Sequence, residues 1–367
     1  MQAQTLRSEA HMDETERDRE QYGAEAHGDT ATAGPGAAAR VSRGEFLKLA
    51  GAATAGLALA GAGCGGSQPP PPAASSPAAR HTSTPGASPV SPSASPSAAA
   101  AYLAIAKGKD AAAITRAAIE ALGGMSRFVH DGADVIVKPN VCVGYHGPEY
   151  AATTNPDVVA TLVRLCLEAG AKRVRVMDNP FGSPADVAYE VSGIAAAVKK
   201  AGGVMQIMSP VKFVDTAIPR GRAIKRYPIY LDILKADFVI NVPIAKQHPL
   251  SRLTLGGKNL LGCVTDRQNL HFDIGQIVAD LASVIKPGLT VVDAVRILTA
   301  NGPTGGNLAD VKRKDTVIAS PDMVAADSYA ATLFGLRGAD IPYVRASAAM
   351  GLGKIHVDKH EVATLRV

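Results

Sequence analysis

The chain has no tryptophan, and its 9 tyrosines and 7 phenylalanines make up only 4% of 367 residues. So few rings argue against a protein that binds nucleic acid by stacking bases on aromatic side chains. Cysteine is scarce too, with Cys64, Cys142, Cys166 and Cys263 and no C-x-x-C pair among them. No cysteine-ligated iron–sulfur cluster or zinc ribbon is expected within this chain, nor a disulfide scaffold. Charge of one sign is lacking: 38 Lys+Arg face 33 Asp+Glu, a net +5 well short of a basic arm. Three signatures are missing as well: the G-x-x-x-x-G-K-[ST] loop of nucleotide hydrolases, a G-x-G-x-x-G turn after the first strand, and the G-x-S-x-G elbow.

What is present is segmented. Residues 1–64 hold six basic and nine acidic residues, and the first forty show no apolar periodicity, which predicts disorder. Arg43 and Lys48 then precede an uncharged Ala/Gly/Leu stretch from Leu49 to Gly63 that ends at Cys64. That stretch is shorter than the ~20 residues needed to span a bilayer, and it fits the apolar region of an export signal. "SRGEFLK" resembles the twin-arginine signal, with Gly44 in place of the second arginine, and "AGAGC" resembles a lipobox. Both point to a protein lipidated at Cys64 and held on the extracytoplasmic face of the cytoplasmic membrane. Residues 65–100 follow as a Pro/Ser/Ala-rich linker. Residues 67–100 alone contain nine prolines, no acid and one arginine, a composition suited to a semi-rigid tether.

From residue 101 on, short apolar runs alternate with helical patterns. Strands are expected at 102–108, 133–140, 172–179, 204–208, 236–245, 289–295 and 315–320. Helices are expected at 110–123, 155–170, 184–203, 273–285 and 322–334, with Asp110 and Asn155 as caps and Pro156 in the first turn. Such alternation predicts one large α/β domain, a mainly parallel sheet with helices on both faces. This part holds 31 Lys+Arg and 24 Asp+Glu, so the folded domain carries +7.

In sheets of this kind ligands bind beyond the carboxyl ends of the strands. Polar residues collect at those ends: Lys138 and Asn140, Asp178, Lys246 and His248, and Asp293. The stretch 242–271 adds Arg252, Thr254, Lys258, Asn259, Arg267 and His271 around Gly256-Gly257. A lysine just after a glycine pair suits a phosphate or carboxylate, with the glycines allowing close backbone approach. Lys138, Asn140, Lys246, Thr254, Asn259 and Arg267 are the expected substrate-binding groups. His248, His271 and Lys258 are the expected catalytic ones. A hard-cation site from Asp178, Asp293 and Asn140 is a further candidate. Asp322 is expected to cap the helix at 322–334 and Asp327 to face inward from it.

Several stretches carry a family resemblance. "ALGGMSRFV", "VIVKPN", "TTNPDVVATLVRLCLEAGAKRVRVMD", "VINVPIAKQH", "TLGGKNLLG", "LTVVDA", "NGPTGG" and "SPDMVAADSYAATLFGL" together resemble domain-of-unknown-function family 362 over residues 101–358. That resemblance implies a fold and a site but no reaction. Ferredoxin-like modules fused to some members suggest a separate redox partner. A weaker likeness links Lys246-x-His248, "TLGGKNLLG" and His271 to the nickel-pincer lactate racemases. By position it implies His248 as acid/base, Lys258 as the cofactor lysine and His271 as a nickel ligand, with His146 a candidate second histidine. The element here is K-x-H rather than K-x-x-H, and Asn259 follows the lysine.

Two functions follow from these readings: an enzyme acting on a small anionic substrate, with or without a metal or organometallic cofactor, and a tethered protein that captures a solute without turnover. Nucleic acid is not an expected partner of either.

Overall fold

The computed structural model describes residues 100–367, apart from the side chain of His271. Cys64, the export signal and the proline-rich linker lie outside the described residues. Twelve strands and nine helices are described, and no helix among these residues is long and apolar enough to cross a membrane.

The main sheet runs in the order β12 (Val362–Arg366), β1 (Leu103–Lys107), β11 (Val311–Ser320), β10 (Leu289–Leu298), β7 (Phe238–Val242), β2 (Asp134–Pro139), β3 (Arg173–Val176), β4 (Val204–Met205). All neighbours pair in parallel except β11, which runs against both β1 and β10. The fold is thus α/β, with a mostly parallel mixed sheet.

Side chains alternate across this sheet, because successive strand residues point to opposite faces. Ala104, Ala106, Val135, Val137, Val291, Val317 and Ala319 line one core. Leu103, Ile105, Ile136, Val292 and Ile318 line the other. The first core is closed by α1 (Ala111–Ala121), α2 (Pro156–Glu168), α3 (Ala185–Val191) and α4 (Ile194–Lys200). The second is closed by α7 (Ile274–Ile285), α8 (Met323–Thr332) and α9 (Pro342–Ala349). Helix starts follow the expected caps: Asp110 accepts from the N–H groups of Ala112 and Ala113, Asn155 from Asp157 and Asp322 from Ala325.

The structure departs from the sequence pattern in places with physical causes. The single helix expected over 184–203 is two, because Gly193 takes a left-handed φ of 72° between α3 and α4. The strand expected over 236–245 breaks at Pro243, which has no N–H for the ladder. The chain resumes as β8 (Ile244–His248), which leaves β7 to pair with β10 and with β9 (Arg252–Thr254). A separate hairpin of β5 (Phe213–Ala217) and β6 (Arg226–Tyr230), the helices α5 (Leu231–Lys235) and α9, and the edge strand β12 carry no signal in the pattern above.

One topological feature positions the site. From β2 the chain winds outward through β3 to β4, then returns to lay β7 on the other side of β2. The crossovers diverge here, at the carboxyl ends of β2 and β7, the place where open α/β sheets bind ligands.

Candidate functional site

Lys138 lies one residue from the end of β2, opposite Asn241 of β7. Its ammonium makes two hydrogen bonds and one ion pair. It donates to the carbonyl of Pro139 (2.9 Å) and to Oδ1 of Asn259 (2.8 Å), and it lies 2.7 Å from Oδ1 of Asp178. Both members of that ion pair are almost fully buried. The other carboxylate oxygen of Asp178 accepts from the Val141 N–H at 2.7 Å. Gly262 covers the pair so closely that a Cβ there would collide with both charged groups.

Lys246 of β8 is fully buried and equally committed. It donates to Asn140 Oδ1 (3.1 Å) and to the carbonyls of Ala152 (2.6 Å) and Pro303 (2.8 Å). Asn140 and Asn259 join the two lysines: Asn140 Nδ2 donates to Asn259 Oδ1 at 3.0 Å, and Asn259 Nδ2 donates to Asn241 Oδ1 at 2.8 Å. Burial, partly offset by the neighbouring Cys142 thiol, holds the Lys246 amine below its ordinary pKa. These residues form a rigid polar floor whose ammonium protons point at protein oxygens.

Lys258 differs from both. It follows Gly256-Gly257 in the one-turn helix α6 (Gly256–Asn259), and its ammonium makes no hydrogen bond or ion pair among the described residues. Burial, reinforced by the charge of Lys246, brings its pKa down to about 8, with Arg267 and Lys138 acting in the same direction. The turn that carries it is held from beneath. Asp327 of α8 accepts from the N–H groups of Gly256 (2.7 Å) and Gly257 (2.8 Å), while burial lifts its pKa to about 7. The glycines are needed for close approach to protein: a Cβ on Gly256 would stand 2.7 Å from Asp327, and one on Gly257 2.7 Å from the Tyr343 ring. Asp327 therefore faces inward and positions Lys258.

Arg267 is half-buried, donates to the Pro180 carbonyl (3.0 Å) and lies over the exposed Phe181 ring at 5.9 Å from its centroid. Thr254 is buried opposite Lys246 across the β8–β9 pair. His248, two residues after Lys246 on β8, is buried, and its Nδ1 accepts from the N–H groups of Leu250 (3.2 Å) and Ser251 (3.4 Å). That assignment places the proton of the neutral ring on Nε2. His271 lies on the backbone turn Arg267–Asp273. His146 stacks on Tyr150 at 4.4 Å.

The two candidate metal aspartates each have protein partners. Asp178 is tied to Lys138, and Asp293 accepts from the N–H groups of Asn155 (2.7 Å) and Val295 (3.0 Å) while burial raises its pKa to about 6. Among the described residues, no three His, Cys, Asp or Glu side chains converge as a metal centre requires. The free amine of Lys258 fits covalent attachment of a group, but these residues offer no ready donor set for nickel.

Sequence reasoning missed three contributors. Asn241 anchors both Asn259 and the carbonyl of Gly256. The Pro303 carbonyl, from the loop after β10, accepts from Lys246. Cys142 lies within the electrostatic reach of both Lys246 and Lys258. The family stretches "VINVPIAKQH" and "NGPTGG" contain Asn241 and Pro303, and neither was singled out there.

A solved lactate racemase apoprotein from Thermoanaerobacterium thermosaccharolyticum is similar at a TM-score of 0.38 and 9% identity, over 60% of this chain. The chain spans about half, 54%, of that racemase. A thylakoid-associated protein of Synechocystis sp. is 29% identical over 252 residues, 65% of this chain and 74% of that protein. The family model described as domain of unknown function DUF362 matches residues 135–332, the segment running from β2 to the end of α8. That match covers more than half of the sequence, and the protein belongs to the DUF362 family.

Proposed function

We propose that this protein is an enzyme acting on a small carboxylate or phosphate substrate, with Lys258 as the group that meets the anion and exchanges a proton with it. The observation that carries this reading is the contrast in donor use. Lys138 and Lys246 spend their ammonium protons on the floor, whereas Lys258 stands over that floor with none committed to protein. Lys138, Lys246 and Arg267 all act electrostatically on Lys258, and among the described residues only Lys138 of the four is paired with a carboxylate, that of Asp178, so the site favours a negative guest. An amine with a pKa of about 8 exchanges protons near neutral pH, which suits a general acid/base. His248, with Nδ1 fixed by two backbone donors, supplies a second proton-bearing nitrogen on β8. If a metal or organometallic group is bound, Lys258 is the residue to carry it.

We further infer export and lipidation at Cys64, supported by the signal-like stretch and the proline-rich tether. The Synechocystis relative's description as thylakoid-associated accords with a place at a membrane.

The test measures binding of inorganic phosphate and a panel of 2-hydroxy and 2-oxo acids by calorimetry, alongside exchange in D2O, by NMR, of the C2 hydrogen of the hydroxy acids and the C3 hydrogens of the oxo acids. Saturable binding that weakens at least ~10-fold in Lys258→Met, a loss of about 1.4 kcal/mol, supports the site. Binding with no exchange or conversion by the protein purified from its native host supports solute capture instead of catalysis. Unchanged affinity in Lys258→Met refutes the assignment.

A further inference from the structure

The parallel strands share one carboxyl rim, and at the end far from the candidate site that rim is strongly basic. Lys107 closes β1 and is the register partner of Arg366 in β12. On the neighbouring pair, Arg296 of β10 stands directly opposite Arg313 of β11. Like charges placed face to face in a sheet weaken it, so these two pairs are a cost to the fold. Lys109, Lys312 and Lys314 extend the patch and are exposed. None of these three lysines, nor Lys107 or Arg366, forms an ion pair among the described residues. Of the side-chain carboxylates beside the patch, Asp315 pairs with Arg313 and Asp110 caps α1; the Val367 carboxylate also borders it, leaving the cations in excess.

We propose that this rim seats the domain on an anionic phospholipid bilayer. The idea rests on the membrane-tethered reading above. Three features favour an extended surface over a single bound phosphate. The cations spread across the ends of four adjacent strands, about 14 Å at ~4.8 Å per strand: Lys107, Lys109, Lys314 and Arg366 surround an open recess, and Arg296, Lys312 and Arg313 extend beyond it. They are mostly long exposed side chains, which meet a diffuse negative surface without being fixed in one geometry. The chain between Cys64 and β1 is fewer than forty residues, a reach of at most roughly 130 Å at ~3.4 Å per residue. A lipid at Cys64 would keep the patch at a high effective concentration near headgroups. The proposed site lies along the same rim, so seating would turn it toward the bilayer.

The test uses the full chain carrying Cys64→Ser, so that no lipid anchor contributes. Co-sedimentation is compared with phosphatidylcholine vesicles and with vesicles containing phosphatidylglycerol. The protein should bind only the latter and release as salt rises from about 50 to 300 mM, as the Debye length shortens. Adding Lys109→Glu, Lys312→Glu and Lys314→Glu should weaken binding on the order of a hundredfold, taking ~5-fold per cation. If those reversals lower the melting temperature, the three Lys→Gln substitutions replace them, with a smaller loss in the same direction. Equal binding to both vesicle types, or undiminished phosphatidylglycerol binding by a folded triple variant, overturns the proposal. Membrane retention of the unmutated Cys64 chain in its host reports on the tether separately, so the two readings fail independently.

Discussion

Two charged clusters built on β2 and β3 show how differently one sheet uses its ions. Near the amino ends, Asp134 pairs with Arg173 and Arg175, while Asp232 pairs with Arg175 and Lys212. Burial alone would raise the Asp134 pKa, yet hydrogen bonds from Arg173 and Arg175 hold it below the usual carboxylate value. Every cation there has a carboxylate, and the cluster is closed. At the carboxyl ends, Lys138 pairs with Asp178, Lys246 and Arg267 donate to neutral oxygens, and the Lys258 amine makes no hydrogen bond or ion pair among the described residues. The balanced cluster ties strands together, whereas the other leaves the Lys258 amine for the proposed ligand.

The sharpest break in this comparison comes from Lys138→Met. It would leave Asp178 buried and uncompensated, and removing one partner of a buried pair costs about 3–5 kcal/mol. Urea unfolding should show a loss of that size, with the substrate floor disrupted alongside it. A midpoint equal to wild type would mean that the pair does not hold the ends of β2 and β3 together.

Arg175→Gln tests the opposite cluster and should cost less, about 2 kcal/mol. Asp134 and Asp232 retain partial exposure and can rehydrate, and Arg173 and Lys212 remain to neutralise them. Affinity for phosphate or carboxylates should not move, because nothing in this cluster touches the candidate site. A drop in affinity without a loss of stability would show that the two clusters are coupled along β3.

Much of this contrast was legible in the sequence, and the illegible part has a common cause. The β–α alternation, the caps at Asp110, Asn155 and Asp322, and the residues at the strand ends follow from periodicity and local hydrogen bonding, which act over a few positions. Lys138, Asn140, Lys246, Asn259 and Asp178 announce themselves as polar groups where apolar runs stop. Their division of labour does not. Whether a lysine is spent on the floor or left for a ligand depends on the Ala152 and Pro303 carbonyls, 94 and 57 residues away from Lys246. Backbone carbonyls carry no sequence identity, so such partners leave no trace in the pattern. The break at Pro243 was visible as a proline, but its consequence, the departure of β8 toward β10, is a matter of tertiary pairing. The hairpin β5–β6 lies off the main sheet and packs through Phe213 and Tyr230, with no long alternating run to betray it.

The smallest effect on stability, and the most telling about function, should come from Lys258→Met. The folded-state pKa of Lys258 is about 8, against an ordinary value of 10.5, so folding disfavours its charged form. Below pH 8 folded and unfolded chains both carry the proton, and the whole desolvation cost acts against the fold. Between pH 8 and 10.5 the folded chain releases that proton while the unfolded chain keeps it, so wild-type stability rises with pH through this window. Lys258→Met removes the cost at every pH. The variant should therefore be the more stable protein below pH 8, by about 1 kcal/mol once partial exposure is allowed for. Its advantage should fade toward pH 10.5. Saturating anion should reverse the order at neutral pH, because ligand stabilises only a chain that binds it, by RT ln(1 + [L]/Kd). A variant that is less stable than wild type without ligand, at pH 7 and with no fading at higher pH, would place Lys258 among the structural lysines, beside Lys138 and Lys246.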